Sequence, residues 1–184
     1  TGTFETSNAY INKLQSNIQW SQRGNFLDVP TDCPQRDERL GWTGDAEVFS
    51  RTAAYNFNVD QFFAKWLIDV AADQKENGAV PFVIPNALKG SFFDMPVGAA
   101  GWSDASIIIP YNMYVSFGDK EVVEKQYPSM KAYLNYVSRE AKNDLWNTGF
   151  QFADWLSYRV DDSKGMIGMK SAITDNYLVA QCFY

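Results

Sequence analysis

The sequence predicts an all-α protein, built from helical hairpins set side by side in a toroid, and three observations carry that prediction. Apolar residues recur at helical spacing, most clearly in Val59, Phe62, Phe63, Trp66, Leu67 and Val70, which fall at i, i+3, i+4, i+7, i+8 and i+11. The helical stretches are joined alternately by tight turns and by long, acidic, tryptophan-bearing loops at 23–43, 75–103 and 142–170. Those long loops recur at one end of successive helix pairs, so hairpins standing side by side would gather them on one face. No repeat is detectable between the hairpins themselves. The 184 residues suit a single domain over 1–184 with no separate second one.

Taken in order, residues 4–22 form an amphipathic helix with Ile11, Leu14 and Ile18 at helical spacing, ended by Gly24. A second helix runs from Gly44 to Phe57, with Asp45 and Glu47 in its first turn, where negative charge favours the helix dipole. Asn58 is the expected N-cap of the third helix, which carries the apolar stripe described above. The segment 75–102 mixes Gly78, Pro81, Pro85, Gly90, Pro96, Gly98 and Gly101 with Phe and Val, which predicts an ordered irregular loop with room for a short hairpin. Ser103 or Asp104 caps a fourth helix through Ser116, kinked near Pro110 and closed by Gly118. A short helix over 119–126 and another over 128–141 follow, the second begun by Pro128 and facing Met130, Leu134 and Val137 inward. A last helix starts near Ser171 and continues to Tyr184.

Composition narrows the chemistry. Net charge is −6 with no basic face in the pattern, which disfavours nucleic acid and suits a neutral substrate. No run approaches the length of a membrane-spanning helix, no signal-peptide pattern opens the chain at Thr1, and the compartment is left open. Histidine is absent, which removes Ser/His and Cys/His catalysis and the commonest zinc ligand. The two cysteines, Cys33 and Cys182, make no metal-type spacing and are expected as free, partly buried thiols. Chemistry here must run on carboxylates, tyrosines or lysines, and no metal or cofactor is called for.

The stretch Asp32-Cys33-Pro34-Gln35-Arg36-Asp37-Glu38-Arg39-Leu40-Gly41-Trp42-Thr43-Gly44-Asp45 concentrates four carboxylates, two arginines and a tryptophan just ahead of a helix. So many charges are not buried unless they pair or meet a polar ligand. Glycoside hydrolysis needs two carboxyl groups, roughly 6.5–9.5 Å apart when a water attacks directly and about 5 Å apart when a covalent intermediate forms. Asp32, Asp37, Glu38 and Asp45 are candidates, and Trp42 can stack on a sugar. An aromatic neighbour would raise the pKa of a glutamate while Arg36 and Arg39 would lower it. On the residues alone, a salt-bridged loop with Asp45 as a helix-start residue accounts for the stretch equally well.

The stretch, preceded by Asn25-Phe-Leu-Asp-Val-Pro-Thr31, resembles the signature of the bacterial α-L-rhamnosidases of glycoside hydrolase family 78. Gly101-Trp102-Ser103-Asp104 and Asp154-Trp155 are similar to that family's barrel loops. The resemblance implies an (α/α)6 barrel that removes terminal α-L-rhamnosyl groups with inversion. It implies Glu38 as general acid, Asp32, Arg36 and Asp45 as hydrogen-bonding partners of the rhamnose hydroxyls, and Trp42, Trp102 and Trp155 as aromatic walls. A 6-deoxy sugar fits such a site, its methyl against rings and its hydroxyls against charged groups.

The same resemblance places a general-base glutamate and a sugar-site histidine beyond Tyr184. By helix count the chain then corresponds to the first half of the barrel, carrying the acid without the base. Its expected partners are an L-rhamnose-containing glycan or glycoside, the C-terminal half of the barrel and accessory β-domains. Alone it is expected to be inactive, and its exposed apolar flank to favour association. Two other readings stand beside this one: a non-catalytic helical sugar-binding or structural domain, and an α/α-toroid glycosidase acting on another sugar.

Blander roles are expected elsewhere. Asp104 is read first as an N-cap. Trp20, Trp66 and Trp146 are read as structural, and Tyr111, Tyr114, Tyr133 and Tyr136 as core. Cys33 is read as a packed thiol, and Asp161 and Asp162 as an exposed turn with a weak cation-binding alternative.

Overall fold

A computed structural model describes residues 2–91, 94, 98–156 and 174–184. Six helices follow one another: α1 (Ala9–Asn25), α2 (Thr43–Asn56), α3 (Asp60–Asp73), α4 (Ala105–Phe117), α5 (Lys120–Glu140) and α6 (Asn176–Phe183). Among the described residues there is no strand, only isolated bridges such as Trp42 to Val83, so the hairpin allowed for in 75–102 does not form there. The fold class is the expected α/α toroid, and its signature is the relation of α2 to α4. Gly44 lies against Trp102 at one end, and Ser50 Oγ accepts from Asn112 Nδ2 at 2.8 Å further along. Both helices therefore run the same way, with their N-termini at one end, while α3 and α5 pack behind α4 and against each other.

The predicted stripe on α3 explains the core. Phe63, Trp66, Leu67 and Val70 are all buried, against Ala46 and Ala53 of α2, Ile109 and Met113 of α4, and Tyr133, Tyr136 and Val137 of α5. Each such large side chain contributes on the order of 1.5–3 kcal/mol on burial. Trp66 also donates its indole N–H to the Ile84 carbonyl at 3.0 Å, tying the loop after α3 to the core. In that loop Lys75 pairs with Asp94, and the ammonium holds the Asp94 carboxyl well below the usual range. Trp146 is buried as expected.

Several expected boundaries move. Helix α1 starts at Ala9, because Asn8 caps it by accepting from the Tyr10 and Ile11 N–H groups, and Gly24 lies within it. The α1 stripe does not face inward. Leu14 is 58% exposed, and α1 meets α2 through amides, Gln15 and Gln22 both bonding Asn56. Val59, not Asn58, is the α3 cap residue, although Asn58 Oδ1 accepts from the Asp60 N–H.

The two helices expected over 119–126 and 128–141 are one. Pro128 costs α5 the bond to the Glu124 carbonyl, but both residues are exposed and water can serve that carbonyl. Leu134 turns outward while Tyr133 and Tyr136 are buried; Tyr111 and Tyr114 are exposed rather than core. Trp20 is exposed too, under Arg23 at 4.9 Å. Cys182 is exposed and free rather than partly buried. Asp175 caps α6, so the helix described begins later than expected; Ser171, Asp161 and Asp162 lie outside the described residues. Large apolar side chains open to solvent include Tyr10, Leu14, Val48 and Leu178.

Candidate active site

The charged stretch between α1 and α2 closes on itself. The Asp32 N–H donates to the Leu40 carbonyl and the Leu40 N–H donates to Asp32 Oδ1, each at 3.0 Å, so residues 33–39 form a pinned excursion. Arg39 turns it with φ +52°, in the left-handed region. Inside the excursion Cys33 is buried. Its thiol donates to Asp32 Oδ2 at 2.7 Å and accepts from Arg36 Nε at 3.0 Å. The far end of the same guanidinium meets Glu38 Oε2 at 2.7 Å, and the Trp42 indole N–H donates to Glu38 Oε1 at 3.2 Å. Both oxygens of Glu38 are thus held. Asp37, by contrast, points into solvent and among the described residues pairs only with Arg39, which disfavours it as the acid.

Burial pushes the Cys33 thiol up, and the Asp32 carboxylate adds to the effect, so Cys33 stays protonated at neutral pH. Asp45 stands at the exposed rim in the first turn of α2. Loss of water around its carboxyl raises its pKa, and the Asp32 and Glu38 charges push the same way.

Two other loops bring aromatic rings. Thr43 fixes the start of α2 to the 82–84 segment, its N–H and hydroxyl both donating to the Phe82 carbonyl at 2.9 and 3.1 Å. Trp102, just before α4, lies over Gly44 so closely that a Cβ there would stand 2.6 Å from the indole. Phe152 joins the rings: it stacks on Trp102 at 4.5 Å, and meets Trp42 and Trp155 edge-on at 6.4 and 5.6 Å. The result is an open cavity of about 390 Å³ lined by Asp32, Arg36, Glu38, Trp42, Asp45, Trp102, Phe152, Trp155 and Leu156. All seven residues singled out from the sequence line it. A smaller cavity of about 250 Å³ lies beside it, sharing Asp32 and Asp45 as a wall.

Under the cavity lies a polar cluster that the sequence did not reveal. Asp104 is buried at the N-cap position of α4, as expected, but its side chain makes no cap bond; its Oδ2 accepts from the Gly101 N–H at 2.8 Å and holds the turn that presents Trp102. Burial raises the Asp104 carboxyl to about 6. Glu47 is buried beside it, pushed up to about 9 by loss of water and by the Asp104 charge. Tyr133 approaches from α5, fully buried, its hydroxyl near Asp104 but without a well-formed hydrogen bond. Glu47 follows Asp45 at the helix start and resembles a surface acid in sequence, so nothing local signals its burial. Phe152 had a faint signal: Phe150 and Phe152 flank Gln151 immediately before Asp154-Trp155.

Comparison with known proteins meets this geometry directly. A family model described as the bacterial α-L-rhamnosidase 6-hairpin glycosidase domain matches residues 1–184. The chain belongs to that family. An α-L-rhamnosidase of Formosa agariphila is 43% identical over 84% of this chain, and one of Streptomyces avermitilis 42% identical over 91%. The crystal structure of native α-L-rhamnosidase from Aspergillus terreus matches all of this chain with a TM-score of 0.84 and 42% identity, using 20% of its own length. That of the Streptomyces avermitilis enzyme complexed with L-rhamnose covers 87% of this chain with a TM-score of 0.77, using 15% of its own. The chain spans 16% of the length of either of those two curated rhamnosidases. A pocket of carboxylates, one guanidinium and aromatic rings is thus carried on a rhamnosidase-family helical toroid.

Proposed function

We propose that this chain is the acid-bearing part of an inverting α-L-rhamnosidase, with residues 1–184 forming the N-terminal part of the toroidal catalytic domain. The observation that carries the reading is the cavity itself, where one carboxylate, Glu38, stands among rings while held by Trp42 and Arg36. Glu38 donates a proton to the departing glycosidic oxygen, and C–O cleavage leaves an oxocarbenium-like sugar that water attacks from the opposite face. Asp32 is engaged by the Leu40 N–H and the Cys33 thiol, which suits it to holding a hydroxyl rather than moving a proton. Arg36 and Asp45 complete the polar wall, and Trp42, Trp102 and Trp155 receive the ring face and the methyl group. The general base is a carboxylate supplied by the parent protein outside this chain. The Streptomyces relative, solved with L-rhamnose, supports the choice of sugar.

The test uses the full-length protein and an aryl α-L-rhamnoside. Wild type turns over and first releases the β anomer, as seen by proton NMR, while Glu38→Gln lowers kcat by about a thousandfold or more. First release of the α anomer, or a Glu38→Gln enzyme as fast as wild type, sinks the proposal. This chain expressed alone binds L-rhamnose weakly at most and does not turn over; turnover abolished by Glu38→Gln in the isolated chain would mean that the base lies within it. Binding without hydrolysis by the full-length protein would favour the non-catalytic sugar-binding reading.

A further inference from the structure

We propose that Cys33 is a positioning residue for the site, the tether that holds the Arg36 guanidinium against Glu38 and fixes Asp32 beside it. The inference rests on the reading of the pocket as a rhamnoside site. Its basis is a contrast in exposure. The Arg36 side chain is 65% exposed, and a long exposed arginine ordinarily samples many rotamers, which makes most surface ion pairs worth little. Arg36 is nonetheless engaged at both ends, by Cys33 Sγ on Nε at 3.0 Å and by Glu38 Oε2 on a terminal nitrogen at 2.7 Å. Cys33 is the buried one of these partners, so it is the anchor.

The thiol works in both directions at once. It accepts from Arg36 and donates to Asp32 Oδ2 at 2.7 Å, while Glu38 Oε2 lies 3.6 Å away. One buried sulfur therefore touches the three polar residues that line this side of the cavity. Donating to Asp32 requires the protonated thiol, and burial together with the neighbouring carboxylate keeps it so. A thiolate would have no proton to give Asp32 Oδ2, and that contact would turn repulsive. Cysteine is suited to this place because the thiol is a weak donor and weak acceptor with a large radius, spanning contacts that a smaller hydroxyl reaches less well. The thiol takes no part in bond making.

The experiment uses the full-length enzyme with an aryl α-L-rhamnoside and compares Cys33→Ala, Cys33→Ser and Arg36→Gln, alone and in combination. Cys33→Ala lowers kcat/KM by about tenfold or more, with KM rising as the Arg36 and Asp32 contacts to the sugar loosen. Cys33→Ser restores at least half of that loss on a logarithmic scale. In the Arg36→Gln background Cys33→Ala costs less than about threefold further, because residues acting through one another are not additive. Full additivity, or a serine no better than alanine, overturns the inference. Thermal melting of each variant separates positioning from folding: a Cys33→Ala protein that is destabilised but, below its melting temperature, as active as wild type also overturns it. Loss of wild-type activity itself would instead strike the proposed function, since the comparison among variants then has no baseline.

Discussion

Replacing Gly44 with alanine is the sharpest probe of how the pocket is built. Gly44 lies in the first turn of α2, where alanine would ordinarily stabilise the helix by about 1 kcal/mol. Here the new methyl would stand 2.6 Å from Trp102 Cε2, 2.7 Å from Nε1 and 2.8 Å from Cδ2, distances real Cβ atoms do not adopt. Neither side can retreat cheaply. The indole is backed by Phe152 at 4.5 Å, which is in turn held by Phe82 at 4.9 Å and Phe150 at 4.8 Å. The helix start is fixed by the two Thr43 bonds to the Phe82 carbonyl. Overpacking of this kind costs typically 1–3 kcal/mol, so the clash outweighs the helix gain and leaves a net loss on the order of 1 kcal/mol. The displaced indole is a pocket wall, so the functional effect exceeds the stability effect. We expect KM for an aryl α-L-rhamnoside to rise about tenfold in the full-length enzyme, with a modestly lowered melting temperature. A Gly44→Ala enzyme with a raised melting temperature and unchanged KM would refute the packing argument.

Three further outcomes follow from the same structure. Glu47 has its folded-state pKa raised to about 9 from an ordinary 4.5, so its burial costs nothing below pH 4.5, where both states are protonated. The cost grows as pH rises from there and levels off above about 9, reaching on the order of 3 kcal/mol at neutral pH. Glu47→Gln should therefore flatten the fall of stability between pH 5 and 9 in denaturant titrations, and an unchanged pH slope would contradict the burial argument. Trp66→Phe removes the indole bond to the Ile84 carbonyl and leaves a void in the core, a loss on the order of 2–3 kcal/mol measurable by urea unfolding. Pro128→Ala, at an exposed position within α5, restores a helix bond and should stabilise by about 1–2 kcal/mol in the same assay; destabilisation would refute the reading of Pro128 as a tolerated cost.

How much of this was legible depended on where a residue's partners lie in the chain. The α3 stripe could be read because its positions obey one helical period, and all are buried but Phe62, which is half-buried against the same core. Asp32, Arg36, Glu38, Trp42 and Asp45 drew attention because so many charges beside a ring are concentrated in one short segment, but it was the family resemblance that gave them roles and added Trp102 and Trp155. The α1 stripe misled because periodicity records only that a face is apolar; among the described residues, α1 meets α2 through Gln15, Gln22 and Asn56 instead. Pro128 misled because its cost depends on whether the Glu124 carbonyl it leaves unbonded is exposed, which sequence alone does not show. Glu47, Asp104 and Tyr133 come from three helices, and their meeting beneath Trp102 is a purely tertiary fact. Asp104 does stand at the N-cap of α4, but its carboxyl bonds the Gly101 N–H rather than the helix's own first N–H groups.

The central place of α4 has a consequence for how the chain comes off the ribosome. Helix α4 touches α2, α3 and α5, all encoded between residues 43 and 140, so the aromatic core, Trp146 excepted, can close as soon as α5 has emerged. Phe152 and Trp155 arrive later. At synthesis rates of about 5–20 residues per second, the floor carrying Glu38 and Trp42 exists for about a second or more before its far wall is available. Nascent chains arrested with α5 just outside the exit tunnel should already resist protease across α2 to α5. The indole of Trp102 should gain its stacking partner, and its altered fluorescence, only in chains long enough to expose Phe152.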